Sequence, residues 1–249
     1  MLNYHFYFMG NFIMVFNDLL HRKNIEQAKE MAAALTFCGG FIDAYTFIQR
    51  GQTLAAGQTG NIIFFSASVA NGNVTGMLNR LSTILSFILG LIIVTLIHKH
   101  SQSHYWRIFE MIPIIIICVI VSFLPHSVPN YYIVPLLAVG LAMQSGAFSK
   151  IEGLGYSNAF TSGNLKKSVL AWSKFYFDKN IDQKAPAENY SILVGAFMSG
   201  AIISALIQKI LGIRTLLVAA FLLSIINTFY GYVIFLRHKE WEKELKSRG

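Results

Sequence analysis

Two short polar stretches carry the residues best suited to chemistry in this chain. Gln58, Thr59, Gly60 and Asn61 lie within Ala56–Ile62, and Thr161, Ser162, Gly163 and Asn164 lie within Ala159–Leu165. Each follows an apolar segment with one strongly polar residue near its end, Asp43 in the first and Gln144 in the second. Glycine permits a turn or a close backbone approach. Asparagine can cap the short helix expected to follow. The Thr and Ser hydroxyls and the Gln amide add hydrogen-bonding groups. Two readings stand side by side. The asparagines are caps at packed helix starts, or the two helix N-termini offer N–H groups and partial positive charge to an anionic or polar ligand. Asp43 is the one acidic residue placed well inside an apolar segment. Such a group is costly in lipid, and it either pairs with a base, here Arg50 or Lys150, or serves a proton or solute pathway. Gln144 cannot titrate, and reads as a hydrogen-bonding ligand or as interhelical glue.

The elements that must position these residues follow from composition. Of 249 residues 54% are hydrophobic and only 13% charged, and mean hydropathy is +0.51. A soluble domain is nearer a quarter charged, so the chain reads as an all-α, polytopic membrane helix bundle in the lipid bilayer. Its formal charge of +8 suits basic loops and anionic headgroups better than nucleic acid. Cys38 and Cys118 sit in apolar segments and read as core residues, outside any disulfide framework.

Six spans are expected, near residues 31–49, 81–97, 109–124, 131–148, 190–211 and 216–236. Residues 62–70 and 165–177 are too short to cross about 30 Å of hydrocarbon at about 1.5 Å per residue. They read as two broken, re-entrant half-helices. The loop at 98–108, the stretch 149–189 and the tail carry most Lys and Arg, while 125–130 carries none. The positive-inside rule then puts both termini in the cytoplasm. Aligning Phe47 with Phe148 pairs Gly39 with Gly140 and Asp43 with Gln144. Each half, about 31–125 and 131–236, holds a span, a break with a short helix, and two more spans. An odd number of spans per half gives opposite orientations, an inverted 3+3 repeat of the kind many transporters use. Residues 1–30 form a separate aromatic then polar segment, read as interfacial, with Met9 or Met14 as alternative starts. It lacks the basic region and cleavage site of a signal peptide. Residues 237–249 form a charged tail, expected to be helical and solvated.

Enzyme chemistry is not expected. An aspartyl protease needs two carboxylates in one site, and Ser162 has no histidine near it in sequence. His98, His100 and His104 read as a basic patch. No metal site and no cofactor are expected, and oligomeric state is left open, since Gly195, Gly200 and Gly212 suit packing within one chain equally well.

At Gly39-Gly40-Phe41-Ile42-Asp43-Ala44-Tyr45-Thr46-Phe47 and Gln58-Thr59-Gly60-Asn61 the chain resembles the YoaK-type family of bacterial six-span membrane proteins with a domain of unknown function. Gln144, Gly146-Ala147-Phe148, Lys150, Gly153, Tyr156 and Gly163-Asn164-Leu165 are similar to that family's second pattern, with Ser162 where threonine is usual. The resemblance covers about residues 30–236. It implies an integral protein of the bacterial plasma membrane and suggests a permease, without naming a solute. Solute uptake through the two breaks is the function expected; a channel, a lipid-handling protein or a non-transporting interaction protein is the alternative.

Overall fold

Glycines set the contacts on which the bundle is built. In the computed structural model, which describes residues 24–101, 103 and 105–248, helix α1 (Lys29–Gln49) packs along helix α7 (Lys184–Leu211). A Cβ added at Gly40 would run into the Phe197 carbonyl, and one at Gly200 into the Phe37 carbonyl. Small residues let helix backbones meet where lipid supplies no hydrophobic drive. Helices α3 (Val74–His100) and α5 (Asn130–Ala147) form a second close pair, with Gly90 against the Val139 carbonyl. Between them run α4 (Trp106–Val121) and α8 (Leu216–Arg248), which pack on each other; α4 also packs on α5, and α8 on α1. Two shorter helices complete the set: α2 (Gln58–Ala70) lies against α3, and α6 (Thr161–Tyr176) against α7.

The buried face of α3 reads Arg80, Thr83, Phe87, Gly90, Val94 at steps of three or four, while Leu81, Leu85, Ile88 and Ile92 are exposed. A helix with its larger aliphatic side chains outward is arranged for lipid. Leu35, Phe41, Ile114, Leu137, Leu141 and Leu223 form the shared core, and Cys38 and Cys118 are buried and unbonded within it.

Several expectations change. Among the described residues three stretches are long and apolar enough, by length and composition, to cross a membrane: Lys29–Gln49, Val74–His100 and Ile181–Lys239. The last holds α7 and α8, broken at Gly212 with φ 53°. Helix α4, at 16 residues, spans only about 24 Å, and α5 begins at Asn130 and carries Gln144. The first half-helix starts at Gln58 rather than near residue 62, and its 13 residues reach about 20 Å. Helix α3 starts at Val74 because the Asn73 side chain takes the Gly76 N–H. The second break is not irregular throughout: β1 (Lys150–Ile151) pairs antiparallel with β2 (Leu154–Gly155). The charged tail is helical through residue 248 and continuous with α8. Of the segment read as interfacial, residues 1–23 lie outside the described residues.

Candidate functional site: two helix breaks around Asp43

Both asparagines of the repeated motif sit inside their helices, not at the cap. The residues before α2 and α6 are Gly57 and Phe160, and neither makes a side-chain capping bond. Instead each asparagine reaches back seven residues to clasp the incoming chain. Asn61 Oδ1 accepts from Leu54 N at 3.0 Å and its Nδ2 donates to Leu54 O at 2.6 Å. Asn164 Oδ1 accepts from Ser157 N at 3.4 Å and its Nδ2 donates to Ser157 O at 2.7 Å. Both asparagines are buried. The clasp satisfies one residue's amide and carbonyl where irregular backbone would otherwise be costly in lipid. Among the described residues the first-turn N–H groups of α2 and α6 have no side-chain acceptor.

Asp43 holds the first break from the other side. It is 4% exposed, and its Oδ1 accepts from Ala56 N at 2.7 Å. Thr46, one turn on, donates to the Asp43 carbonyl and accepts from Ala55 N at 3.2 Å. The pairing with Arg50 weighed from sequence does not form. Arg50 is fully buried and donates to Tyr45 Oη and to the carbonyls of Val121, Leu124 and Pro125. It thereby neutralises the C-terminal end of α4, where partial negative charge collects.

The second break has no carboxylate at the matching place. Gln144 is fully buried and turns toward α1, donating from Nε2 to Leu35 O at 3.4 Å. Its neighbour Ser145 meets Ser157, hydroxyl to hydroxyl, at 3.4 Å, and Ser157 Oγ accepts from Ala159 N at 3.3 Å. Ala159 stands to Asn164 as Ala56 stands to Asn61, so a serine pair does in the second half what Asp43 does in the first. Sequence reasoning missed Ser145 and Ser157. The adjacency of Ser145 to Gln144 was the one available signal, while Ser157 is recognised by a backbone contact that leaves no side-chain pattern.

The two breaks meet. A cavity of about 440 Å³ is lined by Asp43, by Gly57, Thr59 and Gly60 of the first break, and by Ala159–Ser162 of the second. Apolar walls come from Phe47, Ile48, Phe160 and Phe197. Thr161 Oγ1 is buried there without a hydrogen-bond partner among the described residues. Of the residues singled out from sequence, Asp43, Thr59, Gly60, Thr161 and Ser162 thus share one cavity. Asn61 and Asn164 stand behind it and shape its walls. Gln58 binds Asn61 and the Ala55 carbonyl, Gly163 is not among the lining residues, and Gln144 faces the α1–α5 contact. Glu110 is 1% exposed on the inner face of α4 and lies outside this cavity.

Long helices with apolar outer faces, packed through glycines around buried breaks, define a helical membrane protein. The chain belongs to the family described as "Protein of unknown function (DUF1275)", which it matches over residues 31–229. It is similar to the UPF0700 transmembrane protein YoaK of Bacillus subtilis (strain 168), with 23% identity over 143 residues, or 54% of this chain. The matched region spans 63% of that relative's length. No solved structure matches the chain significantly.

Proposed function

We propose that the protein is a small secondary transporter, a permease of the bacterial inner membrane for a small polar or anionic solute. The observation that carries this reading is the single cavity in which Asp43, an unpartnered Thr161 hydroxyl and the uncapped first turns of two half-helices converge. Uncapped helix N-termini offer N–H donors and partial positive charge to an anion or a polar group. Asp43 supplies an acceptor for a proton or a solute hydroxyl or amine. Because the same carboxylate holds Ala56 N–H, protonation or solute binding there loosens its grip on the first break. That links occupancy of the site to the position of α2.

The reading includes an inverted repeat, which the packing of the helices supports. The pairs α1–α7 and α3–α5 exchange under it, as do α2–α3 and α6–α7, and both asparagine clasps span seven residues. Such repeats move against each other around a fixed site in alternating access. On this reading six helices cross the membrane, α4 and α5 included, while α2 and α6 re-enter. Both termini are cytoplasmic, and no enzymatic step is involved.

The test is uptake into proteoliposomes across an imposed pH gradient, over a panel of small carboxylates, phosphate, and neutral polar solutes. Transport of one class is expected, with Asp43→Asn abolishing its proton dependence. Unchanged uptake and unchanged proton dependence in Asp43→Asn would remove Asp43 from the mechanism. A second reading, lipid handling, is favoured by one feature: the cavity wall includes Phe47 and Ile48, 37% and 52% exposed on the bundle's outer face. Scrambling of a fluorescent phospholipid in the same vesicles, with no solute uptake, would select it.

A further inference from the structure

Glu110 is a buried carboxyl group that the Asp43 cavity does not use. It lies on the inner face of α4, and neither of its oxygens has a hydrogen-bond partner among the described residues. An ionised carboxylate buried without partners is too costly to persist, and such a group takes up a proton instead.

The helix register shows what Glu110 faces. Arg107 Nε donates to the Ala147 carbonyl at 3.0 Å, and Gly140 packs on Ile114, so α4 and α5 run antiparallel. Midway between these two contacts, which are two turns apart, Glu110 stands level with Gln144. Gln144 is fully buried. Its Nε2 donates to the Leu35 carbonyl at 3.4 Å, which fixes the amide with its nitrogen toward α1. Its Oε1 has no partner among the described residues. The unsatisfied atoms of the pair are therefore three oxygens, all acceptors. A neutral carboxylic acid supplies the missing donor with a single proton. A hard metal cation gathers about six or more oxygens, and these two side chains supply three.

The surrounding charges do not replace that proton. Arg107, one turn earlier, is engaged by the Ala147 carbonyl, by Glu26 at 3.9 Å and by Tyr230. Cys118 lies two turns further into the core. Helix α3 brings His98, which stacks on Trp106. Helix α8 brings Tyr230 and, further along, Arg237 and His238, and α5 has no ionisable residue from Ile133 to Ala147. A cavity of about 180 Å³ lined by Arg107, Gly146 and Ala147 lies one turn from the pair. Water there can deliver the proton and take it back.

We propose that Glu110 and Gln144 form a proton-binding site between α4 and α5, separate from the Asp43 cavity, in which neutral Glu110 donates to Gln144 Oε1. Loading joins the two helices. Release sets a carboxylate against an amide oxygen and loosens them. The site does not rest on transport.

Full-length protein in nanodiscs is followed by infrared difference spectroscopy as pH is raised. A carboxylic-acid carbonyl band is expected to disappear with rising pH, to be missing from Glu110→Gln and to remain in Asp43→Asn. In Gln144→Leu the band should move to higher frequency, because an acid O–H without an acceptor leaves its carbonyl stiffer. Glu110→Asp keeps an acid and should shift the band rather than remove it, which serves if Glu110→Gln does not fold. No acid band belonging to Glu110 at any pH means an ionised, hydrated side chain and overturns the proposal. An unmoved band in Gln144→Leu overturns the pairing. Loss of the band on adding sodium at constant pH puts a metal ion in place of the proton and also overturns it. Loss of the Glu110 band in Asp43→Asn overturns its separateness. Failure of solute uptake leaves the proton site standing.

Discussion

Arg50 and Asp43 flank the first break, one bound to Tyr45 Oη and three carbonyls around the end of α4 and the other to the Ala56 amide. The corresponding part of the second break carries Ser145 and Ser157 inside and a two-stranded hairpin outside, where Lys150 is exposed and Glu152 and Gly153 have positive φ. The asparagine clasp is common to both halves. What differs is the charge placed around it. A buried ion in lipid is tolerated only with full hydrogen bonding, so the charged break is the more strongly specified of the two. The neutral break, with longer bonds and an exposed hairpin, is the one able to change shape at lower cost. Near-identical clasps can therefore serve a stationary wall on one side of a cavity and an adjustable wall on the other.

Arg50→Ala attacks the charged break most directly. It uncaps the end of α4 and removes the donor to Tyr45 Oη, which keeps its own bond to Ile213 O, and each buried carbonyl left without its donor costs about 1–3 kcal/mol. Thermal unfolding in detergent should show the largest drop of any change at either break. A stability close to that of the unaltered protein would mean that the first break is not held by charge.

The clasps give the sharpest contrast because the same substitution can be made twice. Asn61→Ala orphans the Leu54 amide and carbonyl, at about 1–3 kcal/mol per buried group, so a loss of about 2–4 kcal/mol is expected. Asn164→Ala removes bonds of 3.4 and 2.7 Å to Ser157 and should cost about half as much. Equal losses, or a larger one for Asn164→Ala, would show that the two breaks are equally rigid.

Asp43→Asn keeps an oxygen able to accept from Ala56 N–H while removing the charge. Folding stability should move by about 1 kcal/mol or less, whereas proton-dependent uptake should fall at least about tenfold, equivalent to about 1.4 kcal/mol of barrier. Comparable losses in both measurements would assign Asp43 to holding the break alone.

Part of this contrast was legible in the sequence. The duplicated Gly-Asn motif, the depth of Asp43 and the short segments after each break all follow from residue type and spacing. The meeting of Asp43, Thr59, Gly60, Thr161 and Ser162 around one cavity agrees with where those residues were placed along the chain. The clasp was not legible, because Leu54 and Ser157 contribute only backbone atoms and any residue there could do so. Asparagine before a short helix also reads naturally as a cap, and only the position of the first turn, at Gln58 and Thr161, shows that it reaches backward. Arg50 misled for a related reason. Seven residues from Asp43 it lies on the same helical face, but α1 ends at Gln49, and the chain turns the guanidinium toward α4. Alignment pairs Gln144 with Asp43, while the matching amide, Ala159 N, donates to Ser157 Oγ, which meets Ser145, the neighbour of Gln144.

Ser145→Ala is the mildest change and tests that equivalence. If the Ser145–Ser157 pair stands in for Asp43, its loss leaves Ser157 Oγ still able to accept from Ala159 N, so stability should fall by only about 0.5–1 kcal/mol. The neutral break should become looser while the charged one is unaffected. Hydrogen exchange resolves the two, with faster exchange of the amides at 157–160 and unchanged exchange at 54–57. Ser145→Asp makes the converse case, placing a carboxylate against the Ser157 hydroxyl. Slower exchange at 157–160 with reduced uptake would mean that one break must stay uncharged for the cavity to work. Equal exchange at the two breaks in Ser145→Ala would mean that the serine pair holds nothing, and that the asparagine clasp alone fixes the second break.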